Sequence, residues 1–306
     1  MASNPRLPEQ PIVSNEHFRM NISLRLSTAG VLPFLAILVG GRVASAHGVA
    51  PKVFAINAVA AALGLMLAAW WGHRSSRVQV RPSWVAGAVA LLLLAATLLF
   101  PGLEGVKRWL VVGPLRLNAS TAVTPWLLLS VGVFLARARP VLALSVATVT
   151  QVLHFAQPDA GQAIAFSAGT IALFVATHSV AIGWRLAGIM VTCLGAILTW
   201  LRPDPLGAVP HVERILHLAS AQGLPWLLAA LLAVGCLFVP LVHGSVWLHR
   251  ARSESAPVAT ALAVYLVATF AVTELGNFPV PVLGAGAGPV LGWYSALAIL
   301  RSTEAA

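Results

Sequence analysis

Long apolar runs alternate with short polar connections along almost the whole chain. Ten runs can be traced, at 27–46, 52–71, 84–101, 121–136, 141–156, 161–180, 185–201, 225–248, 256–274 and 281–300. Runs of roughly 20 apolar residues match the thickness of a bilayer. Because a chain in lipid must satisfy its own backbone hydrogen bonds, the runs predict helices rather than strands.

Composition excludes an ordinary soluble domain. Hydrophobic residues make up 58% of the 306 residues and charged residues only 9%, whereas soluble domains are roughly a quarter charged. We therefore predict an all-α integral membrane protein, a polytopic bundle of about ten transmembrane helices. Its Gly- and Ala-rich stretches, such as "LGAGAGPVLGW", predict close helix packing through small residues.

The basic residues predict the topology. Most of the 19 Lys and Arg residues lie in every second connection, namely the N-terminal segment, "GHRSSRVQVRP", "ARARP", the join at Arg185, "HRARSES" and the C-terminal Arg301. Cytoplasmic loops carry such an excess, so both termini are predicted to be cytoplasmic. Residues 1–26 then form a short cytoplasmic tail, and residues 27–301 form the transmembrane domain.

Neither the net charge nor the cysteines indicate a separate function. The formal charge of +10 is spread between apolar runs and forms no solvated block, so we predict no nucleic-acid partner. Cys193 and Cys236 both lie inside apolar runs, and we interpret them as small hydrophobic residues rather than as a disulfide or a metal site.

The predicted outer face carries charged residues whose presence needs a reason. One loop, "LEGVKRWLVVGPLRLNAS", holds three of the cations, and Arg202 and Arg214 lie further along; the outer acids are Glu104, Asp159, Asp204, Glu213 and Glu274. Acids at the edge of a membrane bundle cost free energy unless they are paired or hydrated. Cations near helix ends can instead reach the lipid headgroups, so both functional and interfacial roles remain open for them.

Asp204, in "LRPDPLGA", has two interpretations. It can cap a helix that begins at Pro205, with "PLGAVPHVERILHLASAQG" as a short amphipathic helix on the outer interface. It can also be an acid placed for chemistry. The residues alone leave both interpretations open.

Four motifs, in order along the chain, resemble the SEDS family (shape, elongation, division and sporulation) of FtsW/RodA/SpoVE type. They are "GVKRWLVVGPLRLNAS" after the third run, "QPDAGQA" at 157–163, "DPLGAVPHVERILHLASAQG" at 204–223 and "FPVPVLGAGAGPVLGW" at 278–293. Ten helices with both ends cytoplasmic are also the architecture of that family. The first hundred residues resemble it by topology alone.

The chain departs from the family pattern in the first, third and fourth motifs. The first motif has Asn118 to Thr121 where the family has Gln-Pro-Ser-Glu, the third has Pro210-His211 in place of Tyr-Gln, and the fourth has Gly288-Pro289 in place of two serines. The outer loop at 202–224 also lacks the second half of the corresponding family loop. The resemblance is therefore to a divergent, shortened member.

The resemblance implies glycosyl transfer, the polymerisation of undecaprenyl-diphosphate-linked disaccharide (lipid II) outside the bacterial inner (cytoplasmic) membrane, in cell division or elongation. It implies a class B penicillin-binding protein, a transpeptidase, as partner. Asp204 takes the place of the essential acid within the 202–224 loop. Lys107, Arg108, Arg116 and Arg202 are the candidates for binding the diphosphate, with supporting roles expected for Trp109, Gln157, Asp159, Gly207, Pro279 and Pro281.

The predicted chemistry uses no organic cofactor. An acceptor hydroxyl needs a base within hydrogen-bond reach, and a departing diphosphate needs cations where its charge develops. A divalent ion, Mg²⁺ or Mn²⁺, bridging Asp204 and the diphosphate is the one metal hypothesis.

Two other functions remain open. A catalytically impaired relative would act as a scaffold that binds the lipid-linked precursor or the transpeptidase. A flippase or transporter is the third hypothesis, although the centres of the predicted spans contain almost no ionisable residues of the kind that mark substrate pathways.

Overall fold

The computed structural model describes residues 29–75, 82–113 and 115–304. The predicted N-terminal tail at 1–26 and residues 76–81 of the second basic connection lie outside the described residues. Within the described ranges, helices account for most of the chain. They are α1 (Leu32–Ala46), α2 (Lys52–Ser75), α3 (Pro82–Ala96), α4 (Ala119–Ala136), α5 (Pro140–Ala156), α6 (Ala160–Ala176), α7 (Ile182–Trp200), α8 (Pro210–Glu213), α9 (Ile215–Gln222), α10 (Leu224–Arg250), α11 (Ala256–Ala271) and α12 (Ala287–Glu304).

The predicted helical membrane architecture is confirmed. Each apolar run coincides with one long helix of the described chain, and connections as short as 137–139 and 157–159 make the flanking helices antiparallel neighbours. By length and composition, five helical segments of the described residues can cross a membrane: Lys52–Trp71, Ala119–Ala136, Ile182–Trp200, Leu224–Arg250 and Ala256–Glu274. Shorter apolar helices accompany them. The count of ten spans and the side on which the termini lie stay predictions.

The most extensive helix packing in the described chain involves α11 and α12. α11 packs against α6 and α10, and α12 packs against both α2 and α4. The largest side chains buried in this interior are Phe166, Phe174, Trp293 and Tyr294. α4 is mostly buried, whereas α7 lies at the periphery with most of its apolar surface exposed, as expected for a helix that faces lipid.

A β-hairpin joins α3 to α4, in a segment that the sequence predicted only as a loop. Strands β1 (Trp109–Val112) and β2 (Leu115–Asn118) pair antiparallel, with Trp109 opposite Asn118 and Leu110 opposite Leu117. Gly113 has a positive φ at the end of β1, a conformation that glycine adopts readily in tight connections. The hairpin folds back to the bundle end at which α4 begins.

The tenth apolar run is helical only from Ala287, and not from 281 as predicted. Residues 278–286, which include Pro279 and Pro281, form a non-helical segment that folds over the end of the bundle. Proline cannot donate the backbone hydrogen bonds that a helix interior needs. The buried side chain of Asn57 in α2 holds this segment by donating to the Gly284 carbonyl at 2.9 Å and accepting from the Gly286 N–H at 2.7 Å.

The contact between α4 and α12 depends on glycine. A Cβ added to Gly292 would lie 2.0 Å from the Thr121 carbonyl oxygen, and one added to Gly288 would lie 2.4 Å from the Thr121 hydroxyl. Pro125, one turn beyond Thr121, has no N–H for that carbonyl, so α12 approaches α4 where its backbone ladder is interrupted. The predicted packing role of the glycine-rich stretch is confirmed at these positions.

We expect Gly292→Ala to lower the melting temperature by several degrees, because the new methyl group meets backbone that cannot move aside. Gly235→Ala, in α10, is the matched control, since a Cβ there has nothing within 4 Å. It should leave stability unchanged or raise it by up to about 1 kcal/mol through helix propensity. Thermal unfolding in detergent micelles, followed by tryptophan fluorescence, compares the two variants, and equal melting temperatures would contradict the packing role.

Candidate active site

The two aspartates of the chain meet at one buried arginine. Arg108, the residue before β1, donates from Nη2 to Asp204 Oδ2 at 2.5 Å and also to the Pro158 carbonyl. Its Nε donates to the same carbonyl at 2.9 Å and lies 3.9 Å from Asp159 Oδ1. We call Arg108, Asp159 and Asp204 the Arg108 cluster. It joins the hairpin, the 157–159 connection and the 202–209 segment, which are far apart in sequence.

Asp159 is the anchored member of the cluster. Its side chain is only 3% exposed. Oδ2 accepts the Ser120 hydroxyl at 2.8 Å, and Oδ1 accepts the Gln162 N–H at 3.4 Å as the N-cap of α6. A buried carboxylate is tolerated when it is paired and hydrogen-bonded in this way, so Asp159 is fixed in place by its surroundings.

Gln157 ties the same connection to the end of α3. It is fully buried, and its Nε2 donates to the Leu94 carbonyl at 2.8 Å and to the Thr97 hydroxyl at 2.7 Å. Its Oε1 accepts the Ser120 hydroxyl at 3.4 Å. Within "QPDAGQA", Asp159 and the Pro158 carbonyl therefore contact Arg108 directly, and Gln157 fixes this connection to the end of α3.

Asp204 is the open member of the cluster, because 27% of its side chain is exposed. Its Oδ1 accepts the Leu206 N–H at 3.2 Å, two residues further on, which is the turn that aspartate favours in loops. The interpretation of Asp204 as a cap for a helix starting at Pro205 is wrong. Residues 203–209 are not helical, and α8 begins only at Pro210, so the bond from the Leu206 N–H closes a local turn and starts no helix.

The amphipathic stretch after Asp204 forms α8 and α9. Its apolar positions Ile215, Leu216 and Ala219 are buried, and α9 packs against α1 and α10. The apolar stripe therefore faces the protein, and not the membrane interface as the sequence predicted. This packing fixes the position of α9 and so supports the preceding loop that carries Asp204.

Glu213 lies close to the cluster and supports the loop that carries Asp204. Its Oε2 accepts the Val209 N–H, which fixes the start of α8. Burial raises the pKa of Glu213 above its ordinary value, the Val209 hydrogen bond and the nearby Arg108 lower it, and the charge of Asp204 raises it. Glu213 is thus a second acid within electrostatic range of Asp204.

Asn277, in the segment before α12, also supports the loop that carries Asp204. Asn277 accepts from Arg214 Nη2 at 2.9 Å and donates to the Leu206 carbonyl at 3.1 Å. The 278–286 segment hydrogen-bonds to α8, with the Val280 N–H donating to the Val212 carbonyl at 3.1 Å. The third and fourth sequence motifs therefore pack against each other. Pro281 is buried and Pro279 half-buried in this segment.

The remaining predicted residues do not gather around Asp204. Lys107 donates to the Leu98 carbonyl at 3.2 Å, and Arg116 is exposed on β2. Arg202 donates to the Phe155 carbonyl at 2.5 Å and lies 4.8 Å from the centre of the Phe155 ring, where it caps the last turn of α5. Trp109 is half-buried in the hairpin, and Gly207 is exposed with nothing packed against it.

Sequence reasoning missed three residues of this site. Ser120 lay in the first motif but was noted only as a departure from the family, and Glu213 was counted among the outer acids without a role. Asn57 had a usable signal, since it is a lone amide within an apolar run, and such residues in membranes tend to be buried and hydrogen-bonded. Only the folded structure shows which groups they contact.

The described side chains do not form a metal centre. No group of three His, Cys, Asp or Glu residues in the described ranges comes together in a way that could hold an ion. Oδ2 of Asp204 also accepts from Arg108.

An apolar groove of about 430 Å³ lies next to the cluster. α2 packs on α12 and α3 packs on α4, and the described parts of α2 and α3 have little contact with each other. The groove opens between them, past the exposed side chains of Leu67 and Val89, and its floor includes Trp126 and Tyr294. At one end it is lined by Leu110 and Leu117 of the hairpin.

No protein-family model and no curated protein sequence matches the chain. Solved structures do match. The crystal structure of rod shape determining protein RodA from Thermus thermophilus aligns with a TM-score of 0.64 at 19% identity, over 96% of this chain and 98% of that one. An aspartate-to-alanine mutant of that RodA aligns with a TM-score of 0.66 at 20% identity, over 89% and 96% of the two chains.

A third match is a chain from a structure that describes the structural coordination of polymerization and crosslinking by a peptidoglycan synthase complex. It aligns with a TM-score of 0.62 at 21% identity, over 89% of this chain and 96% of that one. The chain therefore has the RodA fold. The SEDS resemblance of its motifs is confirmed at the level of the fold, as is a multi-pass membrane location.

We expect Arg108→Met to lower the free energy of unfolding by about 3–5 kcal/mol, because it leaves the buried Asp159 carboxylate without its counter-ion. The double variant Arg108→Met/Asp159→Asn should recover part of this loss, since the uncompensated charge is then removed. Equilibrium unfolding in mixed micelles measures both variants.

The matched control for this prediction is Arg116→Met, which removes an exposed cation from the same hairpin. Its effect should stay within about 0.5 kcal/mol, as for most surface substitutions. Equal losses for Arg108→Met and Arg116→Met, or no recovery in the double variant, would contradict the role of Arg108 as the centre of the cluster.

Glu213 should make stability depend on pH. Because its pKa is raised in the folded protein, the folded state holds the proton more tightly than the unfolded chain. Its contribution to stability is therefore fully present below the ordinary value of 4.5 and is lost as the pH rises through the raised folded-state pKa. Melting temperatures measured against pH should show Glu213→Gln equal to wild type at low pH and more stable at neutral pH. A constant difference would contradict this assignment.

Proposed function

We propose that this chain is a divergent SEDS-type glycosyltransferase that polymerises undecaprenyl-diphosphate-linked disaccharide at the outer face of the bacterial inner membrane. The observation that carries the proposal is the pairing of Asp204, whose side chain is partly exposed, with the buried Arg108. The pair lies at one end of a bundle with the RodA fold. A pre-positioned carboxylate at a water-accessible end of a membrane bundle suits a reaction between a lipid-anchored donor and a glycan acceptor.

In the proposed step Asp204 acts as the general base. It takes the proton from the acceptor hydroxyl as that oxygen attacks the anomeric carbon of the donor sugar. The bond from the anomeric carbon to the lipid diphosphate breaks, and its electron pair leaves with the diphosphate. The proton on Asp204 then passes to solvent, which the exposed part of its side chain can reach. Such base assistance typically contributes about 10²–10⁴-fold to the rate.

Cations near the hairpin would stabilise the leaving diphosphate. Arg116 is the exposed candidate. In the structure Lys107 donates to the Leu98 carbonyl at 3.2 Å and Arg202 donates to the Phe155 carbonyl at 2.5 Å. A guanidinium matches phosphate oxygens in a two-point geometry. Arg108 is buried and donates to Asp204 and to the Pro158 carbonyl, so its proposed role is to orient Asp204 rather than to bind the diphosphate directly.

The reaction is derived without a metal ion. Among the described residues no three ligating side chains come together, so a divalent ion at Asp204 would be held mainly by diphosphate oxygens and water. The Mg²⁺ or Mn²⁺ hypothesis stays a proposal.

The apolar groove between α2 and α3 is the proposed site for the isoprenoid chain of the donor. The groove opens at the side of the bundle, between α2 and α3, where Leu67, Trp70 and Val89 are exposed. The end of the groove that Leu110 and Leu117 line is the end next to Arg108. A chain lying there would bring its diphosphate to the same end of the bundle as Asp204.

We further propose that a class B penicillin-binding protein is the partner, because one similar structure is that of a peptidoglycan synthase complex. The division or elongation role follows from the same resemblance. A scaffold that binds precursor or transpeptidase without catalysis is the second candidate, favoured by the short loop after Asp204 and by the motif departures. The flippase hypothesis has no feature of the described structure in its favour.

The test is polymerisation of lipid-linked disaccharide by the purified protein, with glycan length resolved by electrophoresis. We expect Asp204→Ala to lose at least about 100-fold in rate. Glu274→Gln, which removes another exposed acid near the same end of the bundle, should match wild type. The same Asp204→Ala protein should still bind the precursor.

Two results would overturn the enzyme proposal. One is polymer formation by Asp204→Ala at the wild-type rate. The other is binding of the precursor by wild-type protein without any polymer, under conditions in which a RodA protein is active, and this second result would support the scaffold.

A further inference from the structure

The hairpin has one apolar face that continues the groove. In an antiparallel pair, residues directly opposite each other share a face and successive pairs alternate. Leu110 opposite Leu117 and Val112 opposite Leu115 therefore form one face. Leu110 and Leu117 line the groove, whereas Val112 is 71% exposed and Leu115 is 49% exposed beyond it.

Both ends of the hairpin are attached to the Arg108 cluster. β1 begins at the residue after Arg108, and the Ala119 N–H donates to the Arg108 carbonyl at 3.2 Å, which closes the base of the hairpin. After β2, Asn118 caps α4 by accepting the Thr121 N–H at 3.1 Å, and Ser120 donates to Asp159 at 2.8 Å. Only one residue separates Leu110 from Arg108.

Leu110 and Arg108 couple the groove to the acid because they lie two residues apart in the chain. Leu110 lines the groove, and Arg108 donates to Asp204. A shift of the hairpin therefore moves the guanidinium that orients the acid. A misplacement of about 1 Å at a reacting group can cost about 100-fold in rate.

We propose that the Leu110–Leu117 pair is a positioning element that senses the isoprenoid chain of the donor and, through Arg108, sets the orientation of Asp204. The inference rests on the proposed function. It makes contact between the donor's lipid chain and this pair a determinant of turnover as well as of binding. Lipid tails are as apolar as leucine, so burial gives little preference for the donor over bilayer lipid. Chain selectivity therefore requires specific packing, which this pair supplies at the hairpin end of the groove.

The experiment compares lipid-linked disaccharides that differ only in the chain, undecaprenyl against a single methyl group that lacks the isoprene units which would contact the pair, with purified protein in micelles. Wild type should use the long donor about tenfold better, chiefly in kcat. The double variant Leu110→Ala/Leu117→Ala should lower this ratio to near unity by losing rate on the long donor. Leu110→Val/Leu117→Val, a milder change, should give an intermediate ratio if the alanine variant fails to fold.

Leu194→Ala is the matched control, because Leu194 is a 56% exposed leucine on the peripheral helix α7. It should keep the wild-type ratio. A ratio that is unchanged in both hairpin variants, with wild type active, overturns this inference and leaves the proposed function intact. A wild-type protein that polymerises neither donor overturns the proposed function itself.

Discussion

The rest of the site depends on one buried charge. Arg108 lies in the interior of a membrane protein, where an uncompensated guanidinium would cost several kcal/mol. Its compensation comes from Asp159, Asp204 and the Pro158 carbonyl, on two connections that are distant in sequence. Because one cation satisfies both aspartates, the hairpin, the start of α6 and the end of α7 must assemble together. The same constraint that holds the bundle end together also orients the candidate catalytic acid.

The two acids of the cluster differ in their surroundings and hence in what they can do. Asp159 is enclosed and accepts hydrogen bonds from Ser120 and Gln162, so it serves as a fixed counter-ion. Asp204 keeps part of its surface open and sits on a turn outside any helix. Around it, Glu213 and Asn277 hold the loop by hydrogen bonds to backbone. A short loop is thus stabilised by side chains rather than by additional length, which offsets part of what the chain lacks relative to the family pattern.

The sequence predicted the helices well because membrane helices are encoded locally, by the length and composition of each apolar run. It failed where a choice between local and distant partners decided the outcome. Asp204 has the context of a helix cap, yet the residues after it are not helical and its Oδ2 accepts from the distant Arg108. The stripe of Ile215 and Ala219 is typical of an interfacial helix, yet α1 and α10 cover it. The run from 281 is apolar, yet Asn57 holds its first part as a loop.

By itself the sequence determined the class of fold, the approximate position of each long helix and the four segments in which the functional residues lie, because hydropathy and short motifs need no knowledge of distant contacts. Tertiary structure alone decided that the two aspartates share Arg108, that Lys107 and Arg202 donate to backbone carbonyls, and that a groove opens between α2 and α3. These features arise between residues far apart in the chain. Their energies depend on burial and on geometry at the scale of a hydrogen bond, which no local pattern records.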